Sequence, residues 1–160
     1  MKATKFFAML FAFAALSFTV TSCGDDDDEI NPDEIITGQT TAKFTKETKN
    51  ELEITLKSAI CMMVSNAKFD NNQKLTSCII KSTWATKNMA QQYYDELECE
   101  DGVIVKIEGK TVTEDHTNSA YFKEVGADYN FIYEEFKYLV EHPDYFFGEA
   151  EEIIVDSRSR

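Results

Sequence analysis

The sequence predicts an α+β domain: an antiparallel sheet of two hairpins with two helices on one face, in the order ββαββα. Three observations carry this. Two stretches rich in β-branched residues each fold about a turn signal. Two others repeat their apolar residues at helical spacing and carry capping residues. The two kinds alternate along the chain, which fits helices laid on one side of an antiparallel sheet.

Taken in order, residues 51–69 (ELEITLKSAICMMVSNAKF) place Ile54, Leu56, Ile60, Met62 and Val64 on one parity and read as one long strand. Helical spacing of Leu52, Leu56, Ala59, Ile60 and Met63 competes, but the turn cluster DNNQ and the β-branched KLTSCIIKSTW that follow decide for a hairpin. With Asn71-Asn72 as a two-residue turn, Cys61 faces Ser82 and Cys78 faces Ser65. The next stretch, ATKNMAQQYYDELEC, is a helix with Thr86 or Asn88 as cap and Met89, Tyr93 and Leu97 recurring every fourth residue. VIVKIEGKTVTEDHT alternates across Glu108-Gly109 as the second hairpin. A second helix begins near Asp128 and runs to His142, where Pro143 stops it. Residues 144–160 carry no clear signal beyond EEIIVDS, a candidate edge strand.

The N-terminus follows another logic. Lys2 and Lys5 precede an uncharged apolar run, Phe6 to Val20, the layout of a secretory signal. At about 1.5 Å per residue that run spans roughly 22 Å, short of the ~30 Å hydrocarbon core, which disfavours a permanent membrane helix. The run ends at VTSC (Val20-Thr21-Ser22-Cys23), which resembles the lipobox of bacterial lipoproteins. The resemblance implies cleavage before Cys23, diacylglycerol on its thiol and acylation of the new amino terminus. Two or more acyl chains anchor a protein stably where one binds marginally. The acids that follow, Asp25 to Glu29, are similar to the surface-export signal of lipoproteins in some Gram-negative anaerobes, which implies display on the outer face of the outer membrane. As a calcium loop the acids fail, because aligned from Asp27 the glycine position holds Pro32.

The expected organisation is thus a signal peptide (1–22), a lipidated Cys with an acidic tether (23–42), a single α+β domain (43–156) and a short tail (157–160). Removing residues 1–22 takes away two lysines and leaves 14 basic against 29 acidic residues, a net charge of −15. Nucleic acid and anionic headgroups are poor partners for such a chain, because phosphate contact needs clustered Lys and Arg. With Cys23 acylated, Cys61, Cys78 and Cys99 remain. An oxidising compartment favours one disulfide plus a buried thiol, with three free thiols as the alternative. The predicted ladder sets Cys61 and Cys78 about 13 Å apart, too far to bond, which leaves Cys78 with Cys99 as the candidate pair.

Catalytic signatures are sparse. His116 and His142 lack a neighbouring nucleophile motif, and GxSxG, HExxH and glycine-rich phosphate loops are absent from the sequence. His116, in TEDHT, reads as a solvated loop histidine, with a metal or acid–base role as the alternative; His142 suits the negative end of a helix. No cofactor is indicated. Ten of the 15 aromatics after residue 22 lie between Tyr121 and Phe147. Tyr129, Ile132, Tyr133, Phe136, Leu139 and Val140 form an ordinary core stripe, while Phe131 and Tyr138 fall on the opposite side beside Glu134 and Glu135. Either Tyr145, Phe146 and Phe147 cover that second stripe, or it is a patch for a protein or glycan partner. In style the folded part resembles small lipoprotein domains of unknown function. The expected function is a lipid-anchored, non-catalytic binding or accessory module; the alternative is a small envelope enzyme or inhibitor.

Overall fold

The computed structural model describes residues 40–143. Six strands and three helices follow one another as β1 (Thr41–Thr48), β2 (Glu51–Lys57), β3 (Cys61–Phe69), β4 (Leu75–Trp84), α1 (Lys87–Glu96), β5 (Ile104–Glu108), β6 (Thr111–Asp115), α2 (Ala120–Val125) and α3 (Tyr129–Glu141). The strands form one antiparallel sheet in the order β1-β2-β3-β4-β6-β5. The α+β class is therefore as expected. The ββαββα layout is not: the sheet gains two strands and the second helical region begins with the extra helix α2.

The two added strands have separate origins. The stretch expected as one strand is broken at Ser58, whose Oγ accepts from the backbone N–H of Ile60 at 3.3 Å and of Cys61 at 3.1 Å. This turn reverses the chain and inverts the parity. Leu52, Ile54 and Leu56 point into the core on β2, but on β3 the inward residues are Cys61, Met63, Ser65, Ala67 and Phe69, leaving Met62 and Val64 on the other face. Strand β1, TAKFTKET, carries little apolar alternation because it is a polar edge strand. Only Ala42 and Phe44 pack on the core, and lysines suit an edge that must not pair with other chains.

The β3–β4 hairpin also departs from the two-residue turn. Cys61 pairs with Trp84 and Cys78 with Ala67, two residues away from the expected register, with an irregularity between Lys68 and Phe69. The turn is wider because the Asp70 side chain builds it. Its Oδ1 accepts from the N–H of Asn72 at 2.8 Å and of Lys74 at 2.9 Å, and Gln73 takes φ 63°. The second hairpin turns at Gly109-Lys110, one residue beyond the expected Glu108-Gly109, so that Glu108 pairs with Thr111 and Gly109 takes φ 60°.

Between β4 and β5 the chain crosses the sheet through α1, and β6 then inserts between the two. Because β4–β6 and β6–β5 are both antiparallel, β4 and β5 run parallel. All buried sheet positions share one face: Leu52, Ala67 and Cys78 lie in one row, Leu56, Met63, Ser82 and Val112 in another. The helices cover this face in two places. Helix α3, capped by Asp128, buries Ile132, Phe136 and Leu139 and stacks Tyr133 on Phe44 of β1 at 5.6 Å. Helix α1, capped by Thr86, buries Ala90 and sets Tyr93 against Trp84 at 4.9 Å. The predicted stripes of both helices thus face the sheet. Each fully buried aliphatic side chain contributes about 1.5–3 kcal/mol, which makes this face the main source of stability.

Candidate functional site

The apolar side chains under the helices form two separate clusters. One joins β2, β3 and β4 to α2 and α3; the other joins Cys61, Trp84, Ala90 and Val112 under α1. Between them the sheet presents polar side chains on its buried face: Ser82 on β4, Glu114 on β6 and His116 just beyond it, while Ser65 on β3 sits within the first cluster between Ile54 and Ile80. This polar seam is where catalytic residue types meet, and the inward parity of each strand puts them there.

Glu114 is 1% exposed and His116 2%. Period-two alternation from the inward Val112 sends both into the core, so His116 is not the solvated loop residue that its polar neighbours suggest. Its backbone N–H donates to Cys78 O at 2.8 Å, prolonging the ladder by one residue past the strand. The Glu114 carboxyl is held on both oxygens. Tyr93 Oη donates to Oε1 at 2.8 Å, and His116 Nε2 meets Oε2 at 3.2 Å. A buried carboxylate is tolerated only when so paired.

The Tyr93 phenol and the nearby thiols are driven toward their neutral forms. Burial, followed by the Glu114 charge, raises the Tyr93 phenol well above its usual range. Burial and the same carboxyl push the Cys61 thiol up to about 12, and burial with Asp115 and Glu114 takes Cys78 to about 12. Cys99, exposed on the loop after α1, is raised by burial and by Glu114 and Glu100. None of these sulfurs is poised as a thiolate nucleophile. All three are free thiols, so the Cys78–Cys99 disulfide expected from counting is not formed.

A loop clamp closes the seam beside α2. Ser119 Oγ accepts from the Phe122 N–H at 3.1 Å as helix cap and donates to Glu100, while the Ala120 N–H donates to Asp101 O at 2.8 Å. Gly102, at φ 87°, lets these loops touch: a Cβ there would collide with the Asn118 carbonyl.

Three buried polar atoms in or beside the seam have no hydrogen-bond partner among the described residues: Ser65 Oγ, Ser82 Oγ and Trp84 Nε1. Among those residues no group of three or more His, Cys, Asp or Glu is placed to hold a metal ion. The arrangement is a carboxyl that accepts from a phenol and meets an imidazole, with Glu114 and His116 shielded from solvent and Tyr93 half-buried at its edge.

The other residues singled out in the sequence lie elsewhere. Cys23, the acidic run and Tyr145 to Phe147 lie outside the described residues. Phe131 and Tyr138 are both half-buried. Phe131 packs against the core and lies 6.2 Å from the Tyr121 ring of α2, a helix too short to show periodicity, and Tyr138 lies 4.7 Å from the His142 ring. His142 is the C-cap of α3 and is exposed. On the same helix the sequence reading passes over Glu135, which is 5% exposed and whose carboxyl burial pushes up to about 7. Among the described residues no helix is long and apolar enough to cross a membrane. No family model, no curated protein and no solved structure matches the chain.

Proposed function

We propose that the protein is a lipid-anchored module of the cell envelope, displayed on the outer membrane and working by binding rather than by chemistry of its own. The observation that carries the anchor is VTSC at the end of an apolar run too short to span a bilayer, with five acids following Gly24. A binding role is supported by the state of the candidate chemical groups. Glu114 and His116 are buried and paired, and the half-buried Tyr93 is engaged with the same carboxyl. Among the described residues no helix covers the opposite face of the sheet, which has exposed Met62 and Ile104, the latter 55% exposed.

Mass spectrometry of protein extracted from membranes tests the anchor. The expected mature chain starts at Cys23 and carries acyl mass there, and Cys23→Ser moves the protein to the soluble fraction. An unmodified Cys23 in membrane-extracted protein overturns the proposal.

The second reading, a small envelope enzyme, is favoured by one observation: an imidazole and a phenol each within hydrogen-bond reach of one carboxyl. Diethyl pyrocarbonate separates the two readings. In a binding module His116 stays unmodified in the native state while the exposed His142 reacts; an enzyme that opens this site to substrate exposes both.

A further inference from the structure

The open face of the sheet differs in charge from the rest of the molecule. Alternation and register place six lysines there (Lys43, Lys46, Lys57, Lys68, Lys81 and Lys106) against four acids, Glu51, Glu53, Glu108 and Asp115. The other described residues hold six lysines against 13 acids. A strongly acidic protein thus keeps one cationic face.

The positive charge is ordered as well. One row across all six strands reads Lys43, Thr55, Val64, Lys81, Thr113 and Lys106, with no acid in it. Lys57 lies in the neighbouring row. Lys46 is held by Glu51 at 2.5 Å, but Lys43, Lys57, Lys81 and Lys106 make no ion pair among the described residues. With strands about 4.8 Å apart, Lys81 lies about 14 Å and Lys106 about 24 Å from β1.

We infer that this lysine row is the docking site of the chain's own acidic segment, residues 25–34. That segment carries seven acids, Asp25 to Glu29, Asp33 and Glu34, and no basic residue lies between it and Thr41. The chain enters the sheet at Thr41, on the edge strand and in the row beside Lys43. Glu34 is seven residues and Asp25 sixteen residues upstream. Unstructured chains of those lengths span about 15 and 22 Å root-mean-square, matching the distances from β1 to Lys81 and to Lys106. Covalent connection supplies an effective concentration near the millimolar range, so individually weak ion pairs suffice. An external polyanion meets the acidic remainder of the molecule without that advantage. The docked segment lies across the open face, and rising ionic strength, which shortens the screening length, releases it.

Lysine acetylation with an N-hydroxysuccinimide ester, read residue by residue by mass spectrometry, tests this. Two chains are compared, each starting at Cys23: the natural one, and one with Asp25–Asp28 and Asp33 changed to Asn and Glu29 and Glu34 to Gln. At low salt Lys43, Lys81 and Lys106 are expected to label roughly two- to fivefold more slowly in the natural chain, a modest factor because each pair is weak. Lys87 and Lys123, away from the open face, label equally in both, and the difference vanishes in high salt. Equal rates at all five lysines in both chains overturn the inference. Protection that rises with protein concentration overturns it in favour of a second copy. Protection that appears equally in both chains, and only on adding polyglutamate, overturns it in favour of an external acidic partner.

Discussion

Replacing Glu135 by Gln changes the pH dependence of stability in a direction the structure fixes. Glu135 sits on α3 at 5% exposure, and burial pushes its carboxyl from 4.5 to about 7. The nearby Tyr121 phenol is raised too, by burial first and then by the Glu135 charge. Between pH 4.5 and 7 the unfolded chain has lost this proton while the native state keeps it, so the native state binds more protons and stability falls as pH rises. Below pH 4.5 both states are protonated and there is no penalty; above pH 7 the penalty is complete. At about 1.4 kcal/mol per pH unit, a carboxyl moved from 4.5 to about 7 loses roughly 3 kcal/mol. Gln is a neutral isostere, so Glu135→Gln is expected to match the natural protein at pH 4 and to exceed it by roughly 3 kcal/mol at pH 8. Urea denaturation at pH 4, 6 and 8 measures this, with a midpoint difference on the order of 1–2 M at pH 8. A difference that stays constant from pH 4 to pH 8 refutes the reasoning, because it assigns the effect to packing instead of charge.

Other consequences follow from the seam. Tyr93→Phe removes the donor to Glu114 Oε1 and is expected to cost about 1–3 kcal/mol by denaturation, more than replacing an exposed tyrosine such as Tyr94. A loss no larger than that of Tyr94→Phe shows that the hydrogen bond is not made. Ser82→Ala removes a buried hydroxyl without a partner and is expected to be neutral or to stabilise by up to about 1 kcal/mol. A clear loss in the same denaturation assay reveals a bound water. In the native state Ellman's reagent is expected to titrate Cys99 rapidly, with Cys61 and Cys78 reacting only on unfolding. Failure of Cys99 to react in the native fold contradicts its exposure.

The sequence reveals much of this fold wherever a local signal is strong. The Thr86 and Asp128 caps and the stripes of α1 and α3 fall where spacing places them, because capping and amphipathic burial are decided within a few residues, while the second hairpin turns one residue later than expected. What escapes is decided by single side chains acting on the backbone. Ser58 breaks a run whose alternation otherwise continues, and that turn inverts the parity of everything on β3. Asp70 widens the next turn and moves the ladder by two residues. The seam residues carry a signal that goes unused: once Val112 is inward, Glu114 and His116 must follow it. Glu135 is harder to foresee, since a charged residue on a helix flank gives no hint that its surroundings are apolar.

The seam also divides the molecule mechanically. Apolar adhesion is continuous from β1 to β4 under α3 and resumes only under α1, so the polar strip is a fault line. The leaf made of α1, β5 and β6 is joined to the larger leaf through the β4–β6 ladder, which spans five residue pairs, through the small apolar cluster that α1 makes with Cys61 and Trp84, and through the loop clamp at Gly102. Local opening therefore peels this smaller leaf away as a unit. Amide hydrogens of β5 and β6 are expected to exchange ahead of those of β2 and β3 in native-state deuterium exchange, and the buried Glu114–His116 pair meets water first along that line.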